Sequence, residues 1–379
     1  MFLDLWSLST NVDWLAADRA ALMIYTSGTT AAPKGVVATH ASLAAQAGAL
    51  GAAWRLRAAD RTLHVLPLHH VHGIVNATLA PLAAGGAVEF LFPFAPAPVW
   101  ARLADAARPP ITLFMAVPTI YSRLLATVDA QPAAVRARAP AAVAGLRLAI
   151  SGSAALPASV RSAWRKLAGT AAGGGSMLER YGMSEIGMAL SNRLDERVDN
   201  AVGWPLPGVE ARLVDPAGAP ITAPGVQGEI QIRGKTVFRE YWGKPEATKK
   251  EFTDDGWFRT GDVAVVDGRG CYFIQGRMSV DIIKTGGEKV SALEVERELL
   301  ELPEVAEVAV VGIDDKDWGQ RVAAVVVLSE LGKEKAWTLE DMRKVMKERV
   351  AAYKAPTVMR VVEKIPRNQM GKSECSLAA

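Results

Sequence analysis

Residues 24–36, IYTSGTTAAPKGV, bring hydroxyl groups, glycines and one lysine into a short stretch of chain. The groups that could bind an anion belong to Thr26, Ser27, Gly28, Thr29, Thr30 and Lys34. Clustered N–H and hydroxyl donors beside a single cation suit a polyphosphate. The GxxxxGK[ST] spacing of a Walker A loop is absent, and a polar turn after a strand has a similar composition. The segment therefore predicts phosphate binding only if other parts of the chain agree.

Four further segments follow in order along the chain. They are RYGMSEIGM (180–188), GWFRTGD (256–262), GRMSVDIIKTGGEKVSALEVE (276–296) and PRNQMGK (366–372). With these five motifs the chain resembles the adenylate-forming acyl-CoA synthetases, the superfamily shared with firefly luciferase and the adenylation domains of peptide synthetases. The resemblance runs from about Ala21 to Lys372, which is nearly the whole chain.

The resemblance implies an ATP site built around the first two motifs. The loop from Thr26 to Lys34 is similar to the one that grips the β- and γ-phosphates of ATP. In YGMSE, it implies that Tyr181 packs on the adenine beside Gly182 and that Ser184 contacts phosphate. Glu185 would hold Mg²⁺, a hard cation that prefers carboxylate oxygen.

Three more residues complete the nucleotide site that the family resemblance implies. Asp262 of TGD would accept hydrogen bonds from the ribose hydroxyls, with Arg277 assisting. Ser153 in SGSAAL would lie beside the nucleotide and the acyl group, although it could equally be a turn serine. In isolation each of the three is typical of a turn or a solvated charge, and only its place in the ordered set indicates a function.

The reaction that the resemblance implies has two halves and consumes ATP and coenzyme A. A carboxylate attacks ATP to give an acyl-adenylate and pyrophosphate, and the thiol of coenzyme A then displaces AMP. Lys372 is similar to the family lysine that reaches across from the small domain and neutralises charge where the carboxylate attacks.

Rotation of the small domain between the two halves is a further property of the family. It would replace the Lys372 face by one carrying KTGGEKVS, where Lys289 lies close to coenzyme A. Gly286 and Gly287 would let a strand backbone approach the pantetheine arm closely. The pivot is expected at Ser279 or Val280.

Arg180 and two histidines indicate the acid that is activated. Arg180 directly precedes Tyr181, and His70 and His72 follow a strand expected to line the acyl pocket. A guanidinium in such a pocket is costly without a carboxylate partner, which favours a dicarboxylate. The surrounding segments look closest to malonyl-CoA synthetases, so malonate is expected, with methylmalonate as a secondary substrate. The alternative is that Arg180 pairs with Glu179 or a surface acid, and that the histidines are satisfied core residues.

Apolar runs that end in Gly, Ser or Pro turns indicate the elements that position these residues. ALMIY (21–25), TLHVLPL (62–68), ITLFMAVP (111–118) and LRLAISG (146–152) predict buried strands of a mainly parallel, helix-covered sheet. Such sheets bind ligands at the carboxyl ends of their strands. From about residue 200, short strands with Pro/Gly turns predict a small β-rich subdomain.

The predicted fold is therefore α/β, in two parts. Residues 1–275 are expected to form an AMP-binding domain that lacks its usual N-terminal part, residues 276–280 a hinge, and residues 281–379 a small mobile α+β domain that is truncated at its end. The small domain is expected to contain helices at about 291–302 and 338–351, with strands at EVAVVGI, RVAAVVVL and TVMRVVE.

Composition excludes several classes of protein. At 379 residues and 50% hydrophobic, the chain can bury a large core, and its net charge of +3 is not concentrated in a basic stripe. Small molecules rather than nucleic acid are thus the expected partners. Residues 62–88 lack Asp, Glu, Lys and Arg, but their histidines, prolines and glycines argue against a membrane span. The chain has two cysteines, and they lack the spacing of metal ligands, which fits a reducing compartment. An intracellular location, cytoplasmic or mitochondrial, is therefore expected. The sequence does not determine the oligomeric state.

The length ahead of the phosphate loop departs from the family, whose members carry a much longer segment there. A partial gene model, a splice variant or a fragment is therefore expected, and Ala31 stands where the family has glycine. Three alternatives to a malonate ligase stay open: a weak or inactive nucleotide-binding fragment, a synthetase for another short-chain acid, and an enzyme that passes its adenylate to a carrier protein or to oxidation.

Overall fold

The computed structural model describes residues 17–26, 33–169 and 177–366. Within these ranges the strands form four sheets, and most of the helices pack against them. The helices are α1 (His40–Ala53), α2 (Ala80–Ala83), α3 (Pro96–Leu103), α4 (Pro118–Thr127), α5 (Ala133–Ala144), α6 (Ala158–Ala168), α7 (Pro245–Lys250), α8 (Ala292–Leu300), α9 (Glu330–Glu334) and α10 (Leu339–Arg349), together with a π-helix (His72–Leu79) and a 3₁₀ turn (Ala352–Lys354).

A seven-stranded sheet forms the centre of the large domain. Its strands are β3 (Arg61–His64), β4 (Ala87–Phe90), β5 (Leu113–Ala116), β6 (Leu148–Ser151), β7 (Met177–Met183), β8 (Gly187–Ser191) and β9 (Trp204–Pro205). They lie in the order β4-β3-β5-β6-β7-β8-β9, and the first five are mutually parallel. Every residue of β5 and β6 is buried, as continuous apolar runs predict for strands covered on both faces. The predicted parallel sheet is confirmed.

One predicted strand belongs to a different sheet. We expected 21–25 in the parallel sheet, but β1 (Ala20–Tyr25) pairs antiparallel with β2 (Gly35–Thr39). The strand β13 (Glu240–Tyr241) adds to the other edge of β2. A hydrogen bond from Thr26 N to the Lys34 carbonyl, 2.9 Å long, closes the return of the chain. The connection is too short for the crossover that parallel pairing requires, so the two strands form a hairpin.

The β-rich subdomain predicted from about residue 200 is an antiparallel sheet. Its strands are β10 (Val209–Val214), β11 (Pro220–Ile221), β12 (Gly228–Gly234), β14 (Phe258–Val266) and β15 (Tyr272–Arg277), in the order β11-β10-β12-β14-β15. One hydrophobic cluster joins its buried residues to those of the seven-stranded sheet. The last two strands carry Asp262 and Arg277 to neighbouring positions of one ladder.

The C-terminal part has a sheet and a core of its own. Its strands are β16 (Ile282–Thr285), β17 (Glu288–Ser291), β18 (Val305–Asp315), β19 (Gly319–Leu328) and β20 (Val358–Val361). The predicted helices and strands are confirmed, each within a few residues. A separate hydrophobic cluster packs α8 and α10 against this sheet. The predicted hinge residues Ser279 and Val280 lie in the exposed turn between β15 and β16.

A side-chain hydroxyl caps the start of four of these helices, α1, α8, α9 and α10. At the start of α1, the Thr39 hydroxyl accepts a hydrogen bond from Ser42 N, and the Ser42 hydroxyl accepts one from Thr39 N. Such a reciprocal box satisfies two backbone donors that the first helical turn leaves unpaired. None of the helices in the described ranges has the length and apolar character needed to cross a membrane.

Candidate functional site

The most unusual charged residue of the described chain is Arg180 on β7. It is only 4% exposed, yet it makes no ion pair within the described ranges. Its Nη2 donates to the Ser153 hydroxyl at 3.2 Å, and its Nε is buried without a hydrogen-bond partner among the described residues. Burial lowers the pKa of this guanidinium to about 9. An isolated buried cation is costly and indicates that a ligand supplies the missing anion.

The neighbouring Glu179 does not supply that anion. Successive residues of a strand point to opposite faces, so Glu179 and Arg180 face away from each other. The Glu179 carboxylate instead accepts a hydrogen bond at 2.9 Å from Arg161 of α6. The structure therefore contradicts the alternative in which Arg180 is a residue paired with Glu179.

The predicted histidines lie where the chain leaves β3. His72 begins the π-helix and is buried, and in the part of the chain that the structure describes neither of its ring nitrogens has a hydrogen-bond partner. Burial, followed by the nearby Arg180 cation, lowers the pKa of His72 well below its usual range. The imidazole is thus neutral near pH 7. The ring of His70, which is half-buried, lies 4.3 Å from that of His69. Single-turn π-helices are frequent at functional sites.

Two residues after β6 hold the Arg180 guanidinium from the other side. Ser153 has a φ of +75°, a left-handed conformation that costs a non-glycine residue about 1 kcal/mol. Gly152 lies directly beneath the guanidinium, because a Cβ there would fall 2.4 Å from Arg180 Cζ. Ser153 was predicted from the sequence and Gly152 was not, because a glycine in SGSAAL is by itself no sign of a contact with Arg180.

Two predicted nucleotide residues, Tyr181 and Arg277, converge on the carboxylate of a third, Asp262. The Tyr181 hydroxyl donates to its Oδ2 at 2.7 Å, and Arg277 Nε donates to its Oδ1 at 2.9 Å. Arg277 also donates to the Thr260 carbonyl at 3.2 Å. Burial, followed by the Asp262 charge, raises the pKa of Tyr181 well above its usual range, so the phenol stays protonated. These hydrogen bonds hold the carboxylate in place, and its side chain is 14% exposed.

Tyr241 contacts both Glu185 and Lys34, the first through its hydroxyl and the second through its ring. Glu185 is 5% exposed, and its Oε1 accepts a hydrogen bond at 2.9 Å from the Tyr241 hydroxyl. Lys34 Nζ lies 4.3 Å from the centroid of the Tyr241 ring and 3.2 Å from a carboxylate oxygen of Glu251. Burial is the main cause that raises the pKa of Glu185. Sequence reasoning found Glu185 and Lys34, but it missed Tyr241.

The Glu185 site fits Mg²⁺ bound together with phosphates. In the described ranges no three His, Cys, Asp or Glu side chains cluster as a metal cage would require. Mg²⁺ commonly uses one or two carboxylates plus substrate phosphates and water, so a single buried carboxylate suffices. Ser184 and Glu185 lie in the turn that joins β7 to β8, and Gly182 precedes that turn on β7.

The two glycines predicted to face coenzyme A form a tight turn. Gly286 and Gly287 have φ values of +57° and +85°, and they connect β16 to β17 as a two-residue loop. A type I′ hairpin turn requires positive φ at both positions, which accounts for both glycines. Gly286 also packs against the Trp318 ring. Lys289 follows on β17 with its side chain exposed.

Some predicted residues lie outside the described ranges. They are Ser27, Gly28, Thr29, Thr30, Ala31 and Lys372. Of the phosphate loop, the structure therefore places Thr26 and Lys34, whose backbones are joined by the hydrogen bond described above. The Thr26 hydroxyl also accepts a hydrogen bond from Lys34 N at 3.2 Å.

Comparison with known proteins identifies the family to which the chain belongs. The model of the AMP-binding enzyme family matches residues 4–242, and that of the AMP-binding enzyme C-terminal domain matches residues 294–372. A CoA ligase of Gibberella moniliformis is 50% identical, over 95% of this chain and 68% of the relative. A mitochondrial malonate–CoA ligase of Mus musculus is 48% identical over 94% of this chain.

The overall structure is similar to that of ATP-bound MatB from Rhodopseudomonas palustris. The TM-score is 0.83 at 38% identity, and the match covers 96% of this chain and 68% of that one. This chain spans 63% of the length of the mouse relative. The first matched range contains Arg180 and Glu185, and Asp262 lies between the two matched ranges. The chain belongs to the AMP-binding enzyme family, the adenylate-forming enzymes, and carries both of the family's domains.

Proposed function

We propose that this chain is an ATP-dependent acid–CoA ligase whose acid is malonate. The observation that carries the choice of acid is the buried Arg180 guanidinium, which has no carboxylate partner among the described residues. The relatives named malonate–CoA ligase support the same choice.

The physical argument rests on the two carboxylates of malonate. One of them must remain free to react, and the other would pair with Arg180. A bidentate guanidinium–carboxylate pair restores the solvation that the arginine loses on burial. Acetate has no second carboxylate, and a long acyl chain would place hydrocarbon against the cation, so both would leave the charge uncompensated. Neutral His72 can add a hydrogen bond without a competing negative or positive charge.

The first half-reaction would use the nucleotide residues. A carboxylate oxygen attacks the α-phosphorus of ATP, an acyl-adenylate forms, and pyrophosphate leaves. Asp262, held by Tyr181 and Arg277, would orient the ribose, and Lys34 with Thr26 and the loop hydroxyls would hold the outer phosphates. Mg²⁺, when bound at Glu185, neutralises phosphate charge. Ser184, which directly precedes Glu185, would contact phosphate.

The catalytic lysine and the thiol-transfer residues come from the C-terminal part. Lys372 would neutralise charge at the point of attack, as the family resemblance implies. The thiol of coenzyme A then attacks the acyl carbonyl, and AMP leaves. Gly286, Gly287 and Lys289 form a compact exposed hairpin that would lie along coenzyme A. The turn at 279–280 would be the pivot between the two arrangements.

Methylmalonate is proposed as a secondary substrate, because it keeps both carboxylates and adds one methyl group. A mitochondrial location is proposed by analogy with the mouse relative.

The experiment measures pyrophosphate release with Mg-ATP and acetate, malonate, methylmalonate or octanoate, without and with coenzyme A. We expect malonate-selective release. Arg180→Met, which keeps a similar length without charge, should lower kcat/KM for malonate by about 30- to 150-fold, the effect of losing a charged hydrogen-bonded pair. Arg55→Met is the matched control, because Arg55 pairs with Asp195 on the exposed surface. Lys372→Ala should abolish release with every acid.

Two results would reject the proposal. Equal rates for malonate and acetate in the unmodified chain would exclude the dicarboxylate pocket. Absence of release with every acid, from folded protein, would support the alternative of a nucleotide-binding fragment.

A further inference from the structure

Tyr241 makes contacts with two groups that come from distant parts of the chain. Its hydroxyl donates to Glu185 Oε1 at 2.9 Å. The face of its ring lies 4.3 Å from Lys34 Nζ, within the range of a cation–π contact. No motif in the sequence analysis includes this tyrosine. One rigid side chain thus contacts both the proposed metal carboxylate and the proposed phosphate lysine.

The surroundings of Tyr241 fix its position. The side chain is 3% exposed, and its ring packs 4.9 Å from that of Phe238. Its strand, β13, pairs with β2 so that Tyr241 lies opposite Val36, two residues after Lys34. Phe238 N donates to the Glu185 carbonyl at 2.7 Å, which ties the same segment to the β7–β8 turn. The tyrosine therefore cannot move without disturbing both partners.

We propose that Tyr241 is a positioning residue for Mg-ATP. Through its hydroxyl it orients the Glu185 carboxylate toward the metal, and through its ring it holds the Lys34 ammonium toward the outer phosphates. This inference rests on the proposed ligase function, because it requires that Mg-ATP binds at these residues. A Glu251 carboxylate oxygen, 3.2 Å from Lys34 Nζ, also holds the ammonium.

Two substitutions of Tyr241 distinguish the role of its hydroxyl from the role of its ring. Tyr241→Phe keeps the ring beside Lys34 and removes only the hydrogen bond to Glu185. Tyr241→Leu removes both. Tyr272→Phe is the matched control, because Tyr272 is also a buried tyrosine with one hydrogen bond, to the Ala211 carbonyl at 3.1 Å.

The experiment measures ATP binding by isothermal titration calorimetry, in Mg²⁺ and in EDTA, on the full chain without the acid. We expect Y241F to weaken ATP binding about tenfold in Mg²⁺ and to leave binding in EDTA unchanged, as for loss of a hydrogen bond to a charged group. We expect Y241L to weaken binding about threefold in EDTA as well, the effect of a lost cation–π contact. Y272F should behave as the unmodified chain in both conditions.

A double-mutant cycle with Glu185→Gln tests whether the tyrosine acts through the carboxylate. The glutamine keeps an oxygen that can accept the tyrosine hydrogen bond, so this variant remains informative if Y241F proves too unstable to purify. E185Q should lose most of the Mg²⁺ enhancement of ATP binding, and Y241F should add no further loss in that background.

The outcomes distinguish the inference from the proposed function. If the unmodified chain, folded, does not bind Mg-ATP, the proposed function fails. If it binds and Y241F binds equally in Mg²⁺, the positioning role is overturned. It is also overturned if the losses from Y241F and E185Q are additive, or if E185Q keeps the full Mg²⁺ enhancement.

Discussion

Replacing Gly152 by alanine should lower selectivity for malonate although no charged residue is substituted. The added Cβ would lie 2.4 Å from Arg180 Cζ, 2.5 Å from its Nε and 2.7 Å from its Nη1. Atoms in favourable non-bonded contact are about 3.5–4.0 Å apart, so the guanidinium must move by about 1 Å. Because Arg180 is buried, it has little free space in which to move.

The expected loss follows from the hydrogen bonds that such a shift breaks. The bond from Arg180 Nη2 to the Ser153 hydroxyl is already 3.2 Å long, and an additional 1 Å would break it. The proposed pair with the second carboxylate of malonate would be misaligned as well. A charge-assisted hydrogen bond contributes about 1.5–3 kcal/mol, so a loss of about 2 kcal/mol, or about 30-fold in kcat/KM, is expected for malonate.

The assay compares kcat/KM for malonate and for acetate by pyrophosphate release, with the KM for ATP measured alongside. Gly152→Ala should lower kcat/KM for malonate, change kcat/KM for acetate by no more than about twofold, and leave the KM for ATP unchanged. Gly48→Ala is the control, since no atom lies within 4 Å of a Cβ at this exposed helical position.

An equal loss for malonate and acetate would refute the reasoning, because the shift would then disturb the whole site rather than the second carboxylate. Unchanged malonate kinetics would refute it as well, since the guanidinium would then have no part in binding the acid.

Three further predictions concern other parts of the molecule. Tyr181→Phe removes the 2.7 Å hydrogen bond to Asp262 and should raise the KM for ATP about tenfold with the KM for malonate unchanged; an equal rise in both would argue against a nucleotide-specific role. Gly48→Ala, in the exposed face of α1, should raise the free energy of unfolding by about 0.5–1 kcal/mol in a urea titration, and a decrease would contradict the helical assignment. Hydrogen bonds from Arg102, the largest cause, lower the pKa of Glu89 from 4.5 to about 2, so this carboxylate stabilises the fold above pH 4.5 and loses that effect as the pH falls toward 2. Glu89→Gln should therefore lower the free energy of unfolding by about 2 kcal/mol at pH 7. This is less than the roughly 3 kcal/mol that corresponds to the full pKa shift, because the cluster is partly exposed. The difference in unfolding free energy between the variant and the unmodified chain should narrow between pH 5 and pH 3, and a constant difference would contradict the linkage.

The five ordered motifs were enough to predict the adenylate-forming fold, because they record the chemistry of ATP binding in short contiguous segments. The continuous apolar runs of β5 and β6 predicted buried parallel strands, since a strand covered on both faces needs apolar residues at every position. The arginine beside the YGMSE motif likewise predicted a cation in the acyl pocket.

The pairing partner of an apolar run is not written in the run itself. The segment at β1 reads like its parallel counterparts, yet it closes a hairpin with β2, because the connection is too short for a crossover. The Gly286–Gly287 pair is a second feature whose structural reason could not be predicted from the sequence. The sequence indicated a close approach of backbone to ligand, whereas the φ values show a turn that requires both glycines whether or not a ligand is bound.

The sequence by itself determined which chemical groups are available, and the tertiary structure decided which of them meet. Glu185 and Tyr241 are separated by 56 positions and share a hydrogen bond, whereas Gly152 follows the end of β6 and meets Arg180 in the middle of β7. Neither contact follows a local spacing rule, because each depends on how separate strands pair and how closely their side chains pack. That packing places Gly152 beneath the Arg180 guanidinium and the Tyr241 hydroxyl beside the Glu185 carboxylate.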